Sequence, residues 1–113
     1  MNPFINDPFA MVWRAFKNLY PEKECQCYFD ALDENTNGKG PFGVTAFEEK
    51  MTYVFVDVRM NFLDAVEVFA HELAHVAVGD NAGHGEEWEK AFENIHEEYT
   101  RIGDEMFGEE EKE

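Results

Sequence analysis

His71, Glu72 and His75 stand in the run His-Glu-Leu-Ala-His. On a helix, a spacing of four puts both imidazoles on one face, one turn apart. Both rings can then reach a single zinc ion at roughly 2.0–2.1 Å. Glu72 is displaced about 100° around the axis, so it can act on a water at the metal without being a ligand. From Val68 to Val78 the flanking residues are apolar nearly all round the helix, which predicts burial on most sides. Burying two histidines and a glutamate without partners is costly. A shared metal ion gives them a reason to be there.

A third ligand is needed to hold zinc while leaving one position open. His84 is the first candidate. Gly79 is predicted to end the metal helix, and a loop of Asp80 to Gly83 lets the chain fold back. Gly83 and Gly85 flank His84 and give its backbone freedom to aim the ring. A glutamate from the last helix, Glu93 or Glu97, is the alternative. His96 reads as a helix-surface residue.

The elements that must position these groups are legible in outline. Asn6-Asp7-Pro8 reads as a helix start, followed by Phe9, Val12, Trp13, Phe16, Leu19 and Tyr20 at helical spacing. Cys25 to Asp33 and Val44 to Glu48 are strand candidates, and Asn35 to Gly43 between them reads as a hairpin loop. Met51 to Met60 is the clearest strand. Val54, Val56 and Val58 share one face, while Tyr53, Phe55, Asp57 and Arg59 share the other. Asn61 is a good N-cap for a helix over Phe62 to Val78, with Asp64 in its first turn. A last helix is predicted from about Glu86 to Met106, with an apolar stripe through Trp88, Ala91, Phe92, Ile95, Tyr99, Ile102 and Met106. The fold class expected is α+β: a single zincin-like domain over 1–108, with an N-terminal helix, a small three-stranded sheet, the central metal helix and a C-terminal helix. Residues 109–113 are expected to form an acidic tail.

The segment from His71 to Trp88 resembles the SprT-like zinc metallopeptidases, which are related to the Spartan proteases. That family pairs the His-Glu-x-x-His motif with a later His-Gly-x-x-aromatic element, matched here by His84, Gly85 and Trp88. The resemblance implies zinc on His71, His75 and His84, with Glu72 catalytic. It extends over roughly Met51 to Ile102. The minimal gluzincins are a second resemblance and would take a glutamate as third ligand. The YbeY family also uses three histidines but with a shorter gap to the third. The only cysteines, Cys25 and Cys27, precede the motif, so nothing here matches the zinc ribbon that follows it in SprT-like relatives.

Composition narrows the partners. The chain has 113 residues and a net charge of −16, which predicts weak or no binding to nucleic acid and to anionic membrane surfaces. From Glu86 onward twelve Asp or Glu face three Lys or Arg, as on a solvated helix face. Cys25 and Cys27 are predicted to be reduced thiols packed under a helix, because a CxC pair on a strand has poor disulfide geometry. The first ten residues carry neither a basic nor a long apolar run, and the expected location is the cytoplasm.

The function expected from these residues is zinc-dependent hydrolysis of a peptide or protein substrate, with Glu72 as general base and acid. Substrate would add as a strand along an exposed sheet edge. Tyr99 and Tyr53 are candidate oxyanion helpers. A non-catalytic, zinc-stabilised interaction module and a metal-dependent hydrolase of another bond are the alternatives.

Overall fold

The computed structural model describes residues 7–30, 42–57, 59–79 and 83–111, with Asp30 and residues 107–111 by backbone alone. In chain order these form α1 (Pro8–Leu19), β1 (Gln26–Asp30), β2 (Gly43–Phe47), β3 (Thr52–Asp57), α2 (Phe62–Val78) and α3 (Glu86–Glu111).

The sheet order is β1-β3-β2. β3 pairs in parallel with β1, Cys27 facing Val54, and antiparallel with β2, Thr45 facing Val54. The central place goes to the strand with the most apolar inner face: Val54 and Val56 are fully buried. Val58 lies outside the described residues. This order corrects the hairpin reading of Asn35 to Gly43. β1 and β2 occupy opposite edges and do not pair, so no hairpin joins them. The hairpin is β2–β3 instead. Phe47 faces Thr52 across it, and the Glu48 N–H donates to the Met51 carbonyl at 3.1 Å. That turn is Glu-Glu-Lys-Met, which carries none of the usual turn residues.

On the outer face of the sheet Tyr28 stacks on Phe55 with ring centroids 5.5 Å apart, and Tyr53 lies beside both. Cys25 is buried but Cys27 is exposed, and their sulfurs are 3.9 Å apart as free thiols. The expectation that both pack under a helix therefore fails for Cys27. It sits on an edge strand, where cover is incomplete.

α1 begins where Asp7 caps it: the carboxylate accepts from the Phe9 and Ala10 N–H groups at 3.0 and 3.3 Å, and Pro8 occupies the first turn. Its buried face is Met11, Val12, Ala15 and Phe16, while Leu19 is exposed. Val12 and Phe16 of the expected stripe are in the core, Phe9, Trp13 and Tyr20 pack against it, and Met11 and Ala15 widen the face. α2 is capped by Asn61, whose side-chain oxygen accepts from Asp64 N at 2.9 Å. It ends at Gly79, with φ +94°, whose N–H closes on the His75 carbonyl at 2.9 Å.

α3 runs through Gly103 and Gly108 to Glu111, so residues 109–111 are helical where a tail was expected. An interior glycine costs only about 1 kcal/mol relative to alanine, and the glutamates that follow are good helix formers. Ala91, Ile95 and Ile102 are its buried anchors, and Met106 at the end of the expected stripe is exposed.

α2 is packed between β2 and β3 on one side and α3 on the other, and α1 closes over α2 and α3. The buried residues form one cluster, so the chain is a single α+β domain. Asn18 donates to Glu98 at 2.9 Å, tying α1 to α3, and Arg101 grips the same carboxylate with two N–H groups at 2.8 Å. Among the described residues no helix is long and apolar enough to cross a membrane.

Within α2, Leu73 is fully buried and Leu63 is 80% exposed. Leu73→Ala should cost about 2–5 kcal/mol of unfolding free energy, while Leu63→Ala should change it by less than about 0.5 kcal/mol. Urea denaturation of both variants measures the difference.

Candidate metal centre

The packing of α2 forces its His-Glu-x-x-His run into two environments. Leu73 and Ala74 point to the core and are fully buried, while His71 and His75 are half-buried on the face toward α3. Their ring centroids are 5.0 Å apart. His84 arrives from the short segment before α3. Gly83 has φ +58°, a left-handed conformation that L side chains rarely adopt, and the chain there brings the His84 ring over the other two. Nε2 of His84 lies 3.0 Å from Nε2 of His75 and 3.2 Å from Nε2 of His71. Asp80 to Ala82 lie outside the described residues.

Three imidazole nitrogens bound tetrahedrally to one ion at about 2.0–2.1 Å stand about 3.4 Å apart. The two separations from His84 are close to that, and one ring nitrogen from each histidine lies within 4.8 Å of the other two. The donor set fits a zinc ion. Burial, and to a lesser degree His84, pulls the pKa of His71 below its ordinary value. Burial first, then His71 and His84, pulls His75 down to about 4. Neutral rings are the form that binds metal.

Trp88, in the first turn of α3, forms the wall of the cluster. Its ring centroid is 4.6, 5.6 and 4.9 Å from those of His71, His75 and His84. Its indole N–H donates to the His71 carbonyl at 3.2 Å. Phe92 stacks behind it at 5.3 Å. The aromatic of the His-Gly-x-x-aromatic element therefore joins α3 to the metal helix.

Glu72 is buried, 6% exposed, between α2 and β2. The Thr45 hydroxyl lies 2.7 Å from Oε1, to which it donates, and 3.2 Å from the Glu72 carbonyl oxygen. The other carboxylate oxygen, Oε2, is 4.0 Å from His71 Nε2. Burial pushes the Glu72 pKa up, and the Thr45 hydrogen bond and His84 partly offset it. Gly43 makes room for this side chain: a Cβ there would stand 2.8 Å from Oε2 and 2.6 Å from Val68 Cγ1.

His71, Glu72, His75 and His84 are thus brought together. Glu93 and Glu97 are not; both are exposed on α3, beside Glu67 and His96. Tyr53 lies on the far face of the sheet, and Tyr99 lines a cavity with Pro8, Val12 and Phe62. Among the described residues, Trp88 and Phe92 supply the outside ring contacts to the histidines. Gly43 and Thr45 were not recognisable from sequence as site residues. Gly43 reads as one of several turn glycines, and which strand lies beside Glu72 depends on the sheet order. Comparison with known protein families, with curated proteins and with solved structures finds no match.

His84→Ala should weaken zinc binding by at least about tenfold, since loss of even an outer partner of a ligand costs that much. Glu93→Ala and Glu97→Ala should leave it unchanged. Competition of each variant against a zinc chelator reads the affinities; loss of zinc in Glu93→Ala with retention in His84→Ala would move the third ligand to α3.

Proposed function

We propose that the chain is a zinc-dependent peptide hydrolase of the SprT-like kind, with His71, His75 and His84 holding the ion and Glu72 as general base and acid. The observation that carries this reading is the buried carboxylate of Glu72 beside the point where three Nε2 atoms converge. A zinc site that served structure alone would leave that largely buried carboxylate without a task. A non-catalytic interaction module accounts for the histidines but not for Glu72.

When bound, zinc supplies the Lewis acidity that polarises a carbonyl and acidifies water. The chain's own residues do the rest. Glu72 takes a proton on Oε2, the oxygen that Thr45 leaves free, and returns it to the leaving amine. Thr45 fixes Oε1 and so sets the rotation of the carboxylate. Desolvation raises the Glu72 pKa from the ordinary carboxylate range toward the operating pH, which suits a group that must both accept and release a proton. β2 is a sheet edge next to Glu72, so an extended peptide adding to that edge passes the site.

The test is hydrolysis of unfolded casein by zinc-loaded protein. Glu72→Gln should keep zinc and lower the rate by about 10²–10⁴-fold. No hydrolysis by the unmodified protein, or an equal rate from the variant, would end this reading. Thr45→Val removes a hydrogen bond that lowers the Glu72 pKa. That pKa should then rise, and the acidic limb of the kcat/KM profile should move to higher pH. The rate at neutral pH should fall by about tenfold, as for loss of one hydrogen bond to a charged group. A limb that stays in place would show that Thr45 does not act through Glu72.

A further inference from the structure

A cleft of about 340 Å³ opens directly beside His71. It shares Glu67 and Phe92 with the neighbouring cavity lined by Pro8, Val12 and Tyr99. Its walls are apolar: Phe42, Met60, Val68 and Phe92. Its rim carries two carboxylates, Asp64 and Glu67, on successive turns of α2. His71 of the histidine cluster and Phe42, the residue before β2 and 65% exposed, also line it. The cleft therefore lies where a peptide running along β2 past Glu72 would place a side chain bordering the scissile bond.

The chemistry of the lining selects the occupant. Apolar walls suit a methylene stem, and a carboxylate rim suits a cationic head. A lysine or arginine side chain has both parts. Glu67 and Asp64 are exposed, so both are open to an incoming cationic head. Asp64 is engaged on one oxygen by the Asn61 amide at 2.7 Å, which leaves the other for a ligand. The net charge of −16 adds a field that draws cationic peptides and repels acidic ones.

We infer that this cleft is the specificity pocket of the site and takes a lysine or arginine side chain next to the bond to be cleaved, with Phe42, Met60 and Val68 holding the stem and Glu67 and Asp64 the cationic head. This rests on the hydrolase reading, and its test is chosen to stand apart from turnover.

The probes are short peptide hydroxamates that differ in one side chain, lysine, norleucine or glutamate, next to the metal-binding hydroxamate. They are titrated by calorimetry into the zinc-loaded protein. Lysine should bind about tenfold tighter than glutamate and about threefold tighter than norleucine, as expected for exposed charge pairs. The preference should shrink with added salt. Glu67→Gln should remove most of the lysine-over-norleucine margin, and Asp64→Asn should reduce it independently. Norleucine binding as well as lysine would overturn the inference in favour of an apolar occupant. So would failure of all three to bind, or a margin untouched in both variants. Casein hydrolysis is read separately. A lysine preference without hydrolysis leaves this pocket standing and removes the hydrolase reading, while hydrolysis without the preference does the reverse.

Discussion

α2 lies so close to β2 that a Cβ on Gly43 would stand 2.6 Å from Val68 Cγ1 and 2.8 Å from Glu72 Oε2. The rest of the site depends on that approach. It removes water from the Glu72 carboxylate, brings the Thr45 hydroxyl within 2.7 Å of Oε1, and sets an edge strand alongside the histidines. Only a glycine at the start of β2 permits it. The same approach buries Leu73 and Ala74 on the inner side of α2, which fixes the rotation of the helix and so the direction in which His71 and His75 point.

The second support of the site is α3. Its first turn supplies Trp88, whose ring touches all three histidines and whose N–H holds the His71 carbonyl. Its later turns supply Ala91, Ile95 and Ile102, buried against α1 and α2. His84 lies immediately before α3 and is tied to that packing. Burial of the helix faces, rather than any ion pair, therefore holds the three imidazoles near one point. The surface pairs, such as exposed Arg101 with half-buried Glu98, contribute little.

The site combines two opposed electrostatic demands. His71 and His75 are pushed toward neutrality, first by burial and then by the neighbouring imidazoles, and the neutral ring is the form that binds metal. Glu72 is pushed toward protonation by the same loss of water. Asp64 and Glu67, on the rim of the cleft beside His71, are exposed to solvent.

The site was partly legible in the sequence. His71, Glu72 and His75 were readable because helical spacing alone puts residues four apart on one face, and the Asn61 cap and Gly79 stop mark the ends of their helix by local chemistry. The inner face of β3 was readable from the alternation of its valines. These are short-range constraints, and a single segment contains all the information they need. Sheet order is not of that kind. The hairpin was misplaced because the glycine-rich segment before β2 looks like a turn, while the turn that is present, Glu48 to Met51, has no turn residues. The widening of the buried face of α1 to Met11 and Ala15 and the continuation of α3 past Gly108 depended on what packs against each helix and on how little one glycine costs. Spacing, caps and composition determined which residues could bind a metal and on what helix they sit. Only the tertiary structure decided that His84 joins them rather than Glu93 or Glu97, and that Thr45 and Gly43 hold Glu72, because those contacts join segments far apart in the chain whose approach is set by core packing.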